Sequence, residues 1–186
     1  MKKLAVFASG SGTNYEAIAS ACADGRIEAE VAVLICDKPG AFVLERAKRF
    51  GTPVFVFNPK SYPCKADFEK EIVALLDKEG VDLVCLAGYM RIIGPTLLDS
   101  YGGRIINIHP SLLPSFKGAH AVEQAVEYGV KVYGITIHWV DESLDGGKII
   151  AQRAFEYDGN DPGEVHRLGQ VIEHSLYIET INKILG

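Results

Sequence analysis

Short runs of apolar residues alternate along the chain with stretches in which apolar residues recur every three or four positions. The continuous runs are typical of buried β-strands, and the periodic stretches are typical of amphipathic helices. Strands are predicted at residues 3–9, 30–36, 53–57, 81–88, 104–109, 132–140 and 148–157. Helices are predicted at residues 13–24, 40–50, 65–79, 94–101, 120–129 and 162–185. The alternation predicts an α/β fold, with a doubly wound, mostly parallel sheet of about seven strands and helices on both faces.

The alternation changes in the last third of the chain. Only a short polar segment, "DESLDGG", separates the last two predicted strands, 132–140 and 148–157. Because this connection is too short for a helical crossover, one strand is expected to run antiparallel to its neighbours. The final helix is expected to have Asp161 as its N-cap and Pro162 at its first position. No linker or repeat interrupts the chain, so residues 1–186 are expected to form a single domain.

Composition and charge narrow the classes of function. A chain of 186 residues with 48% hydrophobic and 23% charged residues is typical of one globular core. Its formal net charge of −5 offers no basic field for a phosphate backbone, so nucleic acid is not expected as a partner. A small anionic ligand is still compatible with an acidic protein, since a local site can be positive.

The first residues begin like a signal peptide, but their apolar run ends at Ala8 and a glycine loop follows. No stretch reaches the roughly 18 to 20 apolar residues of a membrane span, so no membrane partner is expected. Four cysteines are scattered without a C-x-x-C pair: Cys22, Cys36, Cys64 and Cys85. Such a pattern predicts reduced thiols and a cytoplasmic protein.

A glycine-rich segment, "SGSGTN", follows the first strand. Exposed backbone N–H groups and the helix dipole at such a turn form an anion site. The third glycine of a dinucleotide-binding G-x-G-x-x-G is replaced by the bulky Tyr15, and Asp37, the candidate ribose-binding acid, is interpreted as a turn residue. The alternative to an anion site is a tight turn with a Thr or Asn helix cap. The predicted cradle for one phosphate consists of Ser11, Gly12, Thr13 and Asn14.

Two polar residues interrupt the apolar strand in "IINIHPSLLP". Asn107 and His109 share strand parity, so their side chains should project to the same face, at the end of the sheet where ligands bind. This placement favours chemistry over the usual buried, hydrogen-bonded histidine. An unpartnered imidazole, with a pKa of about 6.5, is mostly neutral near pH 7, so a catalytic histidine needs an acid. The polar segment offers Asp141, Glu142 and Asp145, and sequence spacing does not choose among them.

A metal site is a further alternative, because His109, His120 and His138 could converge with these acids. None of the helical histidine spacings of zinc enzymes occurs, and no His/Cys cluster is visible in the sequence. No metal is therefore expected.

Taken together, these segments resemble the phosphoribosylglycinamide formyltransferases of de novo purine synthesis over essentially the whole chain. "SGSGTN" resembles the phosphate loop of that family, "LAGYMRI" its folate-side strand end, "INIHPSLLP" its catalytic segment and "GITIHWVDESLDGGKII" its second signature. The resemblance implies the formyltransferase fold, with phosphate binding in the N-terminal half and folate binding and catalysis in the C-terminal half. It implies transfer of a formyl group from the co-substrate 10-formyltetrahydrofolate to the amine of N1-(5-phospho-D-ribosyl)glycinamide.

The resemblance also assigns roles to residues. The implied catalytic residues are Asn107, His109 and Asp145. The implied contacts to the phosphate and ribose of the acceptor are Ser11, Gly12, Thr13 and Asn14, with Gln170 and Glu173 from the last helix. The implied folate-binding residues are Lys65, Met90, Arg91, Ile92, Ile93, Asn107, Asp141 and Asp145. Lys65 stands where better-known relatives carry Arg, which leaves a positive charge without the bidentate fork.

The implied reaction explains the residue types. Asn107 would donate a hydrogen bond to the formyl oxygen as negative charge develops on it. His109, kept protonated by Asp145, would supply a second donor and a proton. Neither a metal nor a covalent enzyme intermediate is required.

Alternative functions remain at this point. One is a non-catalytic phosphate- or nucleotide-binding module that uses only the glycine loop; another is a different formyltetrahydrofolate-using hydrolase or transferase. Methionyl-tRNA formyltransferases would need a further C-terminal domain and a basic surface, and the hydrolases an extra N-terminal domain. Neither is expected here. The expected partners are small-molecule substrates, bound by a monomer or a homodimer.

Overall fold

A computed structural model describes residues 1–186 of the protein. The strands are β1 (Lys2–Ala8), β2 (Ala29–Cys36), β3 (Val54–Val56), β4 (Leu83–Leu86), β5 (Ile105–His109), β6 (Val132–Trp139) and β7 (Ile149–Glu156). The helices are α1 (Thr13–Ala23), α2 (Val43–Phe50), α3 (Lys65–Glu79), α4 (Pro95–Tyr101), α5 (Ala121–Tyr128) and α6 (Pro162–Leu185). Every predicted element is present; the largest differences are at β4, predicted over 81–88 and observed over Leu83–Leu86, and at α2, predicted from residue 40 and observed from Val43.

The strands form one seven-stranded sheet in the order β3-β2-β1-β4-β5-β6-β7. β1 to β5 are parallel, whereas β6 runs antiparallel to both β5 and β7. The prediction of one reversed strand is therefore confirmed. Strand order reverses between β1 and β4, and ligands of open α/β sheets bind outside the carboxyl ends of the strands at such a point.

Helices cover both faces of the sheet, as the alternating pattern predicts. Along β1, Leu4 and Val6 face a core that includes Tyr177 of α6. The intervening Ala5 and Phe7 face a second core, which contains side chains of α3 and α4. The strands β1, β2 and β4 contribute side chains to both cores, so they read as largely continuous hydrophobic runs in the sequence.

Two buried polar side chains fix elements around the carboxyl edge of the sheet. The carboxylate of Glu69, on α3, accepts hydrogen bonds from the N–H groups of Gly94 (2.7 Å) and Leu97 (3.1 Å). Glu69 thereby satisfies N–H groups at the start of α4 that have no partner inside the helix. The buried hydroxyl of Tyr177 donates to the carbonyl oxygen of Leu86 at 2.8 Å, which ties α6 to the end of β4.

The last helix begins as its sequence predicts. Asp161 is the N-cap and its side chain accepts from the N–H of Gly163 at 2.9 Å, while Pro162 occupies the first helical position. None of the helices in the protein combines the length and the apolar character needed to cross a membrane. All four cysteines carry free thiols.

The two faces of the C-terminal strands are covered differently. Helix α6 packs on one face of β6 and β7. On the other face lie two loops, residues 110–119 and 140–148. The first loop is seated closely on β6, since a Cβ at Gly134 would overlap the side chain of Leu112. It is also held by the hydroxyl of Thr136, which accepts from the N–H of Leu113 at 3.1 Å.

Candidate active site

Strand β5 places Asn107 and His109 on the face that the two loops cover. The isoleucines that alternate with them belong to the core beneath α1 and α6, so the two polar side chains project to the other face, as parity predicts. Strand β6 adds two more polar side chains, because Asn107 lies opposite His138 and His109 lies opposite Thr136. Four polar side chains from neighbouring strands thus share one small area.

His109 is buried between two hydrogen-bond acceptors. Its Nε2 lies 2.8 Å from the carbonyl oxygen of Phe116, so this nitrogen carries a proton and donates it. Its Nδ1 lies 3.5 Å from Oδ2 of Asp145. A neutral ring with its proton on Nε2 would turn an Nδ1 lone pair toward the carboxylate, whereas the imidazolium presents an N–H to both partners. Both ring nitrogens of His109 therefore face acceptors.

Asp145 reaches His109 from the loop 140–148. Its backbone is left-handed, with φ of 48°, and its Oδ2 accepts from the N–H of Gly118 at 2.7 Å. Its Oδ1 lies 3.7 Å from Nε2 of His138, so the carboxylate faces two imidazoles. The His138 ring, the Gly118 N–H and the His109 ring lower the pKa of Asp145 to about 2, against the opposing effect of burial. The carboxylate is fully ionised near neutral pH.

The structure distinguishes among the three acids that the sequence offered. Asp141 lies exposed and accepts from the N–H of Ser143 at 2.8 Å and from its hydroxyl, which together lower the pKa of Asp141. Glu142 is exposed as well. Among these acids, Asp145 is the one whose carboxylate faces His109.

His138 is a component of the site that sequence reasoning weighed only as a metal ligand. Its Nδ1 lies 2.9 Å from the carbonyl oxygen of Trp139 and donates to it. Its Nε2 lies 3.3 Å from Nδ2 of Asn107 and 3.7 Å from Oδ1 of Asp145, so the protonation of this nitrogen sets whether it accepts from the amide or donates to the carboxylate. In both cases the His138 ring contacts the Asn107 amide and the Asp145 carboxylate. Alternation of Thr136 and His138 with isoleucines signals a shared face, but it does not reveal the partner strand.

The glycine loop leaves its N–H groups free. The N-cap of α1 is Gly12, with φ of 78° and no side-chain cap, so the predicted alternative of a Thr or Asn cap is not found. A Cβ at Gly12 would also overlap Val43, which explains the glycine. No group of the protein accepts from the N–H of Gly12, Thr13 or Asn14. Such a helix start is suited to an anion.

Helix α6 meets the glycine loop through two predicted residues. Nε2 of Gln170 donates to the Thr13 hydroxyl at 3.0 Å, and Nδ2 of Asn14 donates to Oε2 of Glu173 at 2.9 Å. Burial raises the pKa of Glu173, while the hydrogen bond from Asn14 acts in the opposite direction. The structure therefore brings the six predicted acceptor-binding residues to one end of the sheet.

Arg46, on α2, supports the glycine loop, and the sequence alone does not predict this contact. Its Nε donates to the carbonyl oxygen of Ser11 at 2.8 Å, and its guanidinium pairs with Glu16. Arg46 lies within a helix rich in charged residues, and nothing in that pattern marks it as a loop contact.

The segment after β4 presents apolar side chains to solvent. Met90 and Ile92 are 72% and 62% exposed, whereas the side chain of Ile93 packs in the core with α3 and α4. Lys65 reaches the same segment, since its Nζ donates to the carbonyl oxygen of Ile92 at 2.9 Å. Met90, Ile92 and Lys65 therefore surround one surface beside the carboxyl edge.

The interpretation of Asp37 as a turn residue is wrong. Its side chain is buried at the end of β2, and its Oδ2 accepts from Nε of Arg91 at 2.9 Å. The residue is thus one half of an ion pair that joins β2 to the segment after β4. No group of three or more His, Cys, Asp and Glu side chains is arranged to hold a metal ion.

Comparisons with known proteins agree with this geometry. A family model described as formyl transferase matches residues 2–181. A phosphoribosylglycinamide formyltransferase of Bacillus subtilis is 53% identical over 191 residues, which covers all of this chain and 96% of that protein. A crystal structure of glycinamide ribonucleotide transformylase 1 from Geobacillus kaustophilus has a TM-score of 0.97 and 51% identity, with full coverage of both chains. A phosphoribosylglycinamide formyltransferase from Bacillus halodurans has a TM-score of 0.96 and 52% identity, covering 100% and 96% of the chains.

Proposed function

Since this chain belongs to the formyl transferase family, we propose that it transfers the formyl group of 10-formyltetrahydrofolate to the amine of N1-(5-phospho-D-ribosyl)glycinamide. The products are the formylglycinamide ribonucleotide and tetrahydrofolate, in a step of de novo purine biosynthesis. The observation that carries the proposal is the convergence of Asn107, His109 and Asp145 at the same edge of the sheet as a glycine loop with free N–H groups, which can bind a phosphate. A phosphate-binding module alone would have no use for a buried histidine paired with a carboxylate.

Asn107 has the role of stabilising charge in this proposal. Attack of the acceptor amine on the formyl carbon moves negative charge onto the formyl oxygen. The Asn107 amide has two N–H groups, and one faces Nε2 of His138. The second is available to donate to the developing oxyanion, and a donor fixed in advance is worth most in such a step.

His109 and Asp145 have the role of moving protons. Overall, the attacking amine loses a proton and N10 of the folate gains one as the carbon–nitrogen bond breaks. The imidazolium of His109, whose Nδ1 faces Asp145, gives its proton to N10, and the neutral imidazole that results takes up the proton that the amine loses. Nε2 of His109 donates to the carbonyl of Phe116 in the protein alone, so the reacting group must take the place of that carbonyl.

The two substrates are assigned to the two sides of this centre. The acceptor phosphate would bind the N–H groups of the loop at Ser11 to Asn14, with Gln170 and Glu173 contacting phosphate and ribose. The folate would lie along Met90 to Ile93, near the loop that carries Asp141 and Asp145, with Lys65 close to its tail. We propose that the protein works on these small molecules in the cytoplasm, as a monomer or homodimer, and no step of this mechanism uses a metal.

The direct test is an assay of the purified chain with both substrates, following formylated ribonucleotide and tetrahydrofolate separately. Equal formation of the two products is expected. Tetrahydrofolate without formylated ribonucleotide would indicate a hydrolase. Calorimetric binding of the ribonucleotide without any turnover would indicate a phosphate-binding module.

Inorganic phosphate is expected to compete with the acceptor but not with the folate. The reason is that the free N–H groups of the glycine loop recognise the phosphate alone. Initial rates measured against each substrate in turn should show a raised KM for the ribonucleotide and an unchanged KM for the folate. Chloride at matched ionic strength is the control. Competition against both substrates would mean that the loop has been assigned to the wrong substrate.

A further inference from the structure

Three polar contacts join the ends of β1, β2 and β4. Oδ1 of Asp37 accepts from the hydroxyl of Ser9 at 2.5 Å, and Oδ2 accepts from Nε of Arg91 at 2.9 Å. The same Ser9 oxygen accepts from the N–H of Met90 at 2.9 Å. Asp37 therefore holds two consecutive residues, Arg91 through its side chain and Met90 through Ser9. We call Ser9, Asp37 and Arg91 the brace.

Tyr89 and Ile93 pack against the core at the two ends of this segment, and between them the brace holds Met90 and Arg91 while Lys65 holds the carbonyl of Ile92. Met90 and Ile92 project largely into solvent, so their side chains contribute little packing that would fix the segment between them. A buried carboxylate is also costly unless it is paired, and the Asp37 side chain is 2% exposed against 37% for Arg91. The pairing with Arg91 satisfies the charge of Asp37 and directs the Arg91 side chain toward the end of β2.

We propose that Asp37 is a positioning residue for the folate co-substrate. It acts through Arg91 and Ser9 to hold residues 89–92 in the conformation that exposes Met90 and Ile92 to the ligand. Without the brace, the segment can move and bury these apolar side chains, and binding must then reverse that change. This inference rests on the proposed function, because it assigns the segment to folate.

The test replaces each charged side chain of the pair by an uncharged one of similar size: Asp37→Asn, Arg91→Met and the double variant. In each single variant the KM for folate should rise about tenfold, with kcat and the KM for the ribonucleotide within about twofold of the native values. Because the amide oxygen in Asp37→Asn can still accept from the Ser9 hydroxyl, that variant removes mainly the pairing with Arg91. The double variant should therefore resemble Arg91→Met alone rather than reach the roughly hundredfold product of independent effects.

Asp82→Asn is the matched control. This carboxylate accepts from the N–H of Lys3 at 2.8 Å and pairs with Lys2, at the opposite end of the same sheet. Its replacement should lower the melting temperature without changing either KM. Should Asp37→Asn not fold, Ser9→Ala serves in its place, since it removes the contact to Met90 without altering charge; a severalfold rise in the KM for folate is expected.

Two outcomes would overturn the inference. An unchanged KM for folate in a variant with a lower melting temperature would make the brace purely structural. Equal rises in the KM for folate and the KM for the ribonucleotide would mean that the brace shapes the binding sites of both substrates. Failure of the proposed function is distinguishable from either, because the native protein would then show no formyl transfer at all.

Discussion

Replacing His109 with alanine is expected to lower kcat for formyl transfer by roughly 10²- to 10⁴-fold, the range in which a positioned proton donor contributes. The side chain is buried between the Phe116 carbonyl and the Asp145 carboxylate, so no other group can take its place without rebuilding both loops. The residues proposed to bind the acceptor lie on the glycine loop and α6, away from this change. Binding of the ribonucleotide, measured by calorimetry, should therefore remain within a few-fold of the native value.

The matched control for this variant is His120→Asn. His120 is an exposed histidine at the N-cap of α5, with φ of 58°. Asparagine tolerates this left-handed backbone, so the fold should be preserved. Normal kcat in His120→Asn alongside loss in His109→Ala would locate the effect in one imidazole. Activity that survived in His109→Ala would exclude it as the proton donor.

Asp145→Asn is expected to lower kcat by roughly two to three orders of magnitude. The amide keeps the size of the carboxylate and can still accept from the N–H of Gly118, but it removes the negative charge that faces His109. The imidazolium then becomes less favourable. The alkaline limb of the pH–rate profile should move to lower pH, because the proton donor is lost earlier as pH rises.

The pKa of Asp145 adds a second measurement. Because this pKa is lowered to about 2 from its usual 3.8, the ionised carboxylate stabilises the folded protein above about pH 4. That contribution is lost as pH falls through 2. The difference in melting temperature between native protein and Asp145→Asn should therefore shrink over the same interval.

Glu142→Gln is the control for Asp145→Asn, since Glu142 is an exposed acid in the same loop. It should leave the pH–rate profile unchanged. A profile in Asp145→Asn that matched the native one, with only a uniformly lower rate, would mean that Asp145 acts by shaping the loop and not by its charge.

The fold was predictable from the sequence because the information is local. Continuous apolar runs such as "LVCL" in β4 mark strands that are buried on both faces. Parity placed Asn107 and His109 on one face for the same reason, since alternation in a strand needs no knowledge of its neighbours. The short connection before β7 excluded a helical crossover and so predicted the reversed strand.

What the sequence could not supply is contact between distant segments. His138 meets Asn107 only because β6 pairs with β5 in one particular register. The residues that follow Asp37, Lys38 to Gly40, predict a turn. The partner of its carboxylate, however, is Arg91, which lies 54 positions further along the chain. The choice of Asp145 among three nearby acids depends on how an irregular loop folds, which periodicity does not determine.

The proposed chemistry depends on the register in which β5 pairs with β6. Side chains alternate between faces with a period of two, so a slip of one residue in β6 would turn Thr136 and His138 toward α6. Asn107 would lose its contact with His138, and the loop 110–119 would lose its anchor on Thr136. Every residue of the site could be retained in such a variant and the site would still be dismantled. An insertion or deletion within the eight residues of β6 would therefore remove the activity even where every site residue is kept.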